Sequence, residues 1–160
     1  MVIDAFAERF GDLEIFRGLS LAKLSEIARA SERIVFRTGQ DIITADQPGE
    51  AAYLLMGGEA IAHDDDGTMP AAARPLPEGT LLGEMAMLIE HDYAVTVVAR
   101  TSVRALKISR QAMLRLMAED PDLAQHFVDR IASRLTRVAV ELRRIDQMLA
   151  LAAEPPSLRV

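Results

Sequence analysis

The residues best placed to do chemistry lie together in Leu81-Leu82-Gly83-Glu84-Met85-Ala86-Met87-Leu88, followed by Ala94-Val95-Thr96-Val97-Val98-Ala99. A glycine and an acid open one short apolar turn between two strand-like runs. Backbone N–H groups at such a turn hold an anion, and a neighbouring carboxylate accepts from sugar hydroxyls. The combination suits a sugar phosphate. Tyr93, just past the turn, decides how strongly such a site can hold its anion.

No other cluster offers reactive chemistry. His63, His91 and His126 are scattered and no activated nucleophile stands near them, so no catalytic residue is assigned and the chain reads as a non-enzyme. His63-Asp64-Asp65-Asp66-Gly67 superficially matches a calcium loop. Such loops alternate their acids and end on a distal glutamate, whereas these three acids are consecutive. Asp66-Gly67 therefore reads as a hairpin turn, and no metal site is expected. His91, between Glu90 and Asp92, is either an exposed loop residue or a group that tunes binding with pH. Met85, Met87, Met113 and Met117 read as adaptable core filling.

Composition sets the outer bounds. A chain of 160 residues suits one domain with a real core, and at 50% hydrophobic and 26% charged residues it is globular rather than disordered. Five Phe, two Tyr and no Trp make that core aliphatic and methionine-rich. A net charge of −6 argues against nucleic acid as a partner, because phosphate backbones need a positive face. The absence of cysteine excludes disulfides, thiolate catalysis and cysteine-held clusters. No run approaches the roughly 18 apolar residues of a membrane span, and Asp4, Glu8 and Arg9 break any signal-peptide pattern. A cytoplasmic location without membrane contact is the expectation.

The elements that must position the turn follow from periodicity. Residues 4–30 read as helical, with Phe6, Phe10, Leu13, Ile15 and Phe16 in one apolar cluster and Leu21, Leu24, Ile27 and Ala28 in a second capped by Ser20. From 32 to 108 the pattern becomes short β-rich runs, among them Ile34-Val35-Phe36, Ile42-Ile43-Thr44, Ala52-Tyr53-Leu54-Leu55 and Ala60-Ile61-Ala62. Thr38-Gly39, Gln47-Pro48-Gly49 and Gly57-Gly58 separate them as turns. Many short strands with regular glycine turns mean a sandwich or roll. Residues 68–79, broken by three prolines, read as a loose loop, and Val95–Ala99 and Val103–Ile108 as the last strands. Ser109 caps a short helix, and Asp120-Pro121-Asp122 opens a long one running to about Leu151, before Pro155-Pro156.

Along that long helix Ile131, Leu135, Val138, Leu142, Ile145 and Leu149 are spaced 4, 3, 4, 3, 4, a coiled-coil seam. A helix lying on its own barrel would need one apolar stripe too. The narrowness of the seam and the length of the helix favour an interface, and a homodimer is the expected partner state. In a parallel zipper Glu141 would face Asp146 of the other copy, a like-charge pair, so the geometry stays open.

Together these features resemble the cyclic nucleotide-binding domain of the catabolite-activator and FNR-type regulators, from about residue 13 to 150. The family's glycine landmarks recur as Phe36-Arg37-Thr38-Gly39, Gly49 and Tyr53-Leu54-Leu55-Met56-Gly57-Gly58, and its phosphate-cassette opening as Gly79-Thr80-Leu81-Leu82-Gly83-Glu84-Met85-Ala86-Met87-Leu88. The resemblance implies a mainly β chain, a double-stranded β-helix or jelly roll with N-terminal helices (1–31), a roll (32–108) carrying a short cassette helix at 83–88, and C-terminal helices (109–152). It places a ligand between the cassette and the long helix, with Gly83 and Ala86 near the cyclic phosphate and Glu84 accepting from the ribose. The ligand-binding set it implies is Leu82, Gly83, Glu84, Met85, Ala86, Tyr93, Ala94, Val95 and Arg134.

Three departures qualify the expectation. The family's cassette has an arginine followed by Ser, Thr or Ala, and here those positions are Tyr93 and Ala94. A phenol lacks the arginine's charge, and losing that charge-assisted bond costs about 1.5–3 kcal/mol, or one to two decades of affinity. A Thr-Ser pair that reads adenine is replaced by Val138 and Ala139. Arg134 matches a basic residue of the long helix, either approaching a phosphate or Glu84 or lying as a solvated flank. No helix-turn-helix is expected in the short remainder, hence no direct DNA binding. A sensor module with an unnamed protein effector and a dimerisation scaffold without nucleotide both fit. A cyclic nucleotide is the one small-molecule ligand implied; no cofactor is assigned as certain.

Overall fold

Burial along most of β4 (Ala51–Gly57) and β10 (Val103–Ser109) suits these two seven-residue strands to the middle of the molecule's larger sheet, where they lie side by side. The computed structural model describes residues 2–63 and 73–153. In it β1 (Glu32–Phe36), β10, β4 and β7 (Leu81–Leu82) form one antiparallel four-stranded sheet in that order. A second antiparallel sheet runs β2 (Asp41–Ile43), β9 (Thr96–Ala99), β5 (Ala60–His63) and β6 (Arg74–Leu76). A two-stranded ladder joins β3 (Pro48–Gly49) to β8 (His91–Asp92). This is the expected jelly roll with flanking helices.

Its interior is aliphatic. Phe36, Ile42, Ile43, Leu55, Leu82, Val97 and Val103 are buried together with the small residues Ala60, Ala62, Ala99 and Ala105. Ile34, Tyr53, Leu76, Tyr93 and Val95 pack on this cluster while keeping part of their surface open. Each fully buried Leu, Ile or Val contributes roughly 1.5–3 kcal/mol against an exposed position, so the interior is the main source of stability.

Before the roll come α1 (Val2–Gly11), a 3-10 turn (Glu14–Phe16) and α2 (Leu21–Ala30). Phe10 and Phe16 are fully buried, with ring centroids 5.2 Å apart. Ser20 caps α2 as expected, its hydroxyl accepting from the Lys23 N–H at 3.3 Å. After the roll, Ser109 caps α3 (Arg110–Glu119) by accepting from Ala112 N–H at 3.1 Å. Asp120 caps α4 (Pro121–Ala153), accepting from the N–H groups of Asp122 (3.1 Å) and Leu123 (3.2 Å). The Lys23 ammonium bonds the same carboxylate at 2.9 Å and holds its pKa below the ordinary value, with the cap N–H groups adding to the effect. The cap therefore ties α2 to the start of the long helix.

Two expectations change. Pro75 lies within strand β6 opposite Ile61 instead of in a structureless loop. β6 is an edge strand, and an edge tolerates the missing proline N–H because that side has no ladder partner. Likewise Pro48-Gly49 is a ladder segment and not a free turn, paired to Asp92 and His91. The Asp66-Gly67 hairpin turn and the Pro155-Pro156 stop lie outside the described residues.

The chain divides into two compact units, Met1–Ala124 and Gln125–Val160. The first contains the roll, the N-terminal helices, α3 and the first turn of α4. The second is the remainder of α4. Among the described residues no helix is long and apolar enough to cross a membrane.

Candidate functional site

Three backbone segments converge where β7 ends. Gly83 leaves the strand in the left-handed conformation (φ 66°, ψ 35°) and caps a 3-10 turn, Glu84–Met87. The turn is closed by Ala86 N–H donating to the Gly83 carbonyl at 3.0 Å and by Ile89 N–H donating to that of Met85 at 2.9 Å. Ala86, Met87 and Leu88 are buried, so the turn is anchored through its apolar side, while Glu84 and Met85 remain partly open. The expected elbow is therefore present, in 3-10 form.

Tyr93 fills the space above it. A Cβ on Gly83 would stand 2.5 Å from Cε1 of Tyr93, and one on Gly49 would stand 3.0 Å from the same atom and 2.6 Å from the Ala86 Cβ. The phenol ring thus lies directly against the backbone of both glycines, a closeness that only glycine permits. Its hydroxyl donates to the Ala51 carbonyl at 2.7 Å, its N–H donates to the Gln47 carbonyl at 3.1 Å, and its carbonyl accepts from Asp46 N–H at 2.9 Å. Side chain and backbone are both fixed.

Burial raises the Tyr93 phenol above the ordinary tyrosine value, so at neutral pH it is an uncharged donor. Tyr53 is raised for the same first reason, and next by the prospect of a negative charge on Tyr93. Tyr53 meets Phe36 edge-on, with centroids 5.6 Å apart, and is paired across the sheet with Leu82. The wall beside the elbow is consequently aromatic and neutral.

A residue missed in the sequence holds the elbow from behind. Arg110, the first residue of α3, directs one guanidinium nitrogen, Nη1, to three carbonyls: Gly49 at 2.8 Å, Ile89 at 3.0 Å and Ala86 at 3.2 Å. Its own N–H donates to the Glu50 carbonyl at 2.8 Å. Glu50, Glu90, His91 and Asp92 share a surface groove with it, so the surroundings are acidic and unsuited to a phosphate. Arg110 is a brace and not a substitute anion clamp. Nothing in an arginine following a capping serine signals this; the contact requires the elbow to be folded first.

Of the residues expected at the site, Leu82, Gly83, Glu84, Met85, Ala86 and Tyr93 come together in the first unit. Ala94 is exposed, and Val95 packs on the interior cluster. Arg134 and the seam residues Ile131, Leu135, Val138, Leu142, Ile145 and Leu149 lie on α4 in the second unit.

Comparison with known proteins agrees with this geometry. The model of the cyclic nucleotide-binding domain family matches residues 33–120. A cAMP-dependent protein kinase regulatory subunit of Aspergillus fumigatus is 32% identical over 120 residues, covering 75% of this chain and 28% of that protein. The chain thus spans under a third of the curated relative. In structure it is similar to the N-terminal domain of a transcriptional regulator from Streptomyces coelicolor, with TM-score 0.74 and 16% identity over 84% of this chain and 94% of that one. It is also similar to the catabolite activator protein of Thermus thermophilus, with TM-score 0.63 and 24% identity over 82% of this chain and 62% of that one. With the roll, the elbow and the family match in agreement, the chain belongs to the cyclic nucleotide-binding domain family.

Proposed function

We propose that the chain is a non-catalytic regulatory module in which a small ligand enters the roll beside the Gly83 elbow and its binding is passed to α4. The observation that carries this is the elbow itself. Gly83 takes the left-handed conformation and places Glu84 at the first position of a short helix, an arrangement suited to receiving an anion beside a carboxylate. The braces from Tyr93 and Arg110 keep it preorganised, which lowers the ordering cost of any ligand.

The ligand differs from cyclic AMP in what it asks of the site. Tyr93 supplies a neutral ring where the family supplies a guanidinium, and Val138 and Ala139 replace hydroxyl donors on α4. A second reading, a dimerisation scaffold that binds no nucleotide, is favoured by the satisfied state of Tyr93, whose hydroxyl already has the Ala51 carbonyl.

Isothermal titration with cyclic AMP, cyclic GMP and cyclic dinucleotides separates these. The expected result is cyclic-nucleotide binding weaker than micromolar in the parent, and one to two decades tighter in Tyr93→Arg, following the roughly 1.5–3 kcal/mol of a charged hydrogen bond. Micromolar binding of cyclic AMP by the parent would overturn the assignment to Tyr93. No gain in the variant would mean that the absent charge is not the limiting defect.

A further inference from the structure

An anionic ligand needs a cation, and position 93 supplies none. Several cations of the first unit are already committed: Arg110 to three carbonyls, Arg9 to Glu78 and Lys23 to Asp120. Arg74, on strand β6, is not. Its guanidinium forms no hydrogen bond or ion pair among the described residues, and Glu78, the next acid along the chain, is held by Arg9.

Topology brings β6 to the elbow's side of the roll. β7 is the last strand of one sheet, β6 is the last strand of the other, and the two follow each other in the chain. The connection between them is pinned to β4. Gly79 N–H donates to the Leu55 carbonyl at 2.8 Å, and Leu55 N–H donates to that of Thr80 at 2.9 Å. Both sheets therefore end on the side where Gly83 leaves β7.

Register then places Arg74 on the inner face of its sheet. Residues opposite each other in an antiparallel ladder share a face. Leu76 is opposite Ala60 and Arg74 is opposite Ala62. Ala60 and Ala62 are buried in the interior cluster, and Leu76 packs on it. Pro75 alternates to the other face, opposite Ile61. Arg74 thus starts from the interior side at the open margin and remains exposed there. Packed sheets lie about 10 Å apart, a gap that a long side chain and a nucleotide-sized ligand span together. Tyr53, Leu76, Tyr93 and Val95 all keep part of their surface open around the same interior.

We infer that Arg74 holds a second anionic group of the ligand from the β6 margin, so that the roll takes a nucleotide with two separated phosphates in preference to one with a single phosphate. The Gly83 turn receives one phosphate, and the guanidinium fork receives the other. A ligand with one phosphate satisfies only one of the two. The inference rests on the reading of the elbow as the ligand's place and adds a specificity-determining residue and a charge class.

The test titrates the 15N-labelled full chain with cyclic GMP, which has one phosphate, and cyclic diguanylate, which has two and carries the same base. The parent is expected to bind cyclic diguanylate about tenfold more tightly, the worth of one charge-assisted contact. Arg74→Gln should bring the two probes within about threefold of each other, and Arg74→Lys should keep most of the difference. Because Arg74 is exposed, neither change is expected to move the urea midpoint. Tyr93→Arg acts at the elbow and should tighten both probes alike. A preference that survives Arg74→Gln, or a parent without one, overturns the role of Arg74 and leaves the elbow reading standing wherever the Gly83–Ala86 amides shift. If neither probe shifts those amides, in the parent or in Tyr93→Arg, the elbow reading falls and this inference falls with it.

Discussion

The elbow at 83–93 and the seam on α4 treat their surfaces in opposite ways. The elbow is held from within its own chain: the Tyr93 ring lies against two glycines, its hydroxyl bonds a buried strand, and Arg110 gathers three carbonyls. Along the seam, large aliphatic side chains are open to solvent. A region satisfied within its own chain resists change and can hold a ligand only by matching what is already in place. A region left unsatisfied has its role defined by whatever covers it. The two are therefore expected to fail differently when mutated, the elbow through stability and the seam through assembly.

The largest effect is expected at Gly83. Gly83→Val forces a β-branched residue into the left-handed region and drives its Cβ to within 2.5 Å of the Tyr93 ring. Strain and overpacking together should cost about 3 kcal/mol or more, read as a lowered urea midpoint. A cost below about 1 kcal/mol would mean that the ring can swing away and that the elbow is not closed. Arg110→Met comes next. It keeps the bulk of the stem but leaves three carbonyls without their shared donor, a loss of about 1–3 kcal/mol. Faster hydrogen exchange at the Ala86 and Ile89 amides than at the β10 amides would locate the damage in the elbow, and uniform acceleration would refute a local brace.

Tyr93→Phe should cost less, about 0.5–1.5 kcal/mol for the bond to the Ala51 carbonyl, since the ring and its packing stay. It also has a pH signature. The folded state raises the phenol above its ordinary 10.0, so the protonated form is favoured by folding. That stability is full below the ordinary value and is lost as pH rises through the raised one. The parent should therefore weaken in alkaline solution more steeply than Tyr93→Phe, in which Tyr53, raised in the same direction, still contributes. Equal slopes would remove Tyr93 from the alkaline transition.

How far these regions could be read in advance depended on the range of the interactions involved. Ser20, Ser109 and Asp120 act on amides two or three residues away, and each was legible as a cap before the fold was known. The roll and the elbow were legible because glycine spacing and short β-rich runs between turns are likewise local. Strand β6 was hidden, because three prolines outweigh a three-residue pattern and only the sheet edge makes Pro75 acceptable. The β3–β8 ladder was hidden because Pro48-Gly49 carries every mark of a turn. Tyr93 was recognised as a missing charge, yet its positive role, a ring packed on Gly83 and Gly49, depends on chain segments far apart in sequence. Arg110 was invisible for the same reason, since its three acceptors lie more than twenty residues upstream.

The smallest effect on the fold, and the sharpest on assembly, is expected from Leu142→Glu. Leu142 is 58% exposed, so in a single chain the change moves little apolar surface into water. Unfolding of the roll should shift by no more than about 0.5 kcal/mol, the usual range for surface positions. Tyrosine fluorescence follows that transition cleanly, because Tyr53 and Tyr93 both pack on the roll interior and the chain has no Trp. In a dimer formed through the seam the same change would bury a carboxylate in an apolar layer, and a charge buried without a partner costs several kcal/mol. Sedimentation should then report a monomer whose roll melts like that of the parent at concentrations where the parent is already dissociated. A variant that stays dimeric would move the contact surface off the seam. A variant whose roll also collapses would mean that Leu142 stabilises its own chain, and the division between a self-satisfied elbow and a partner-seeking helix would no longer hold.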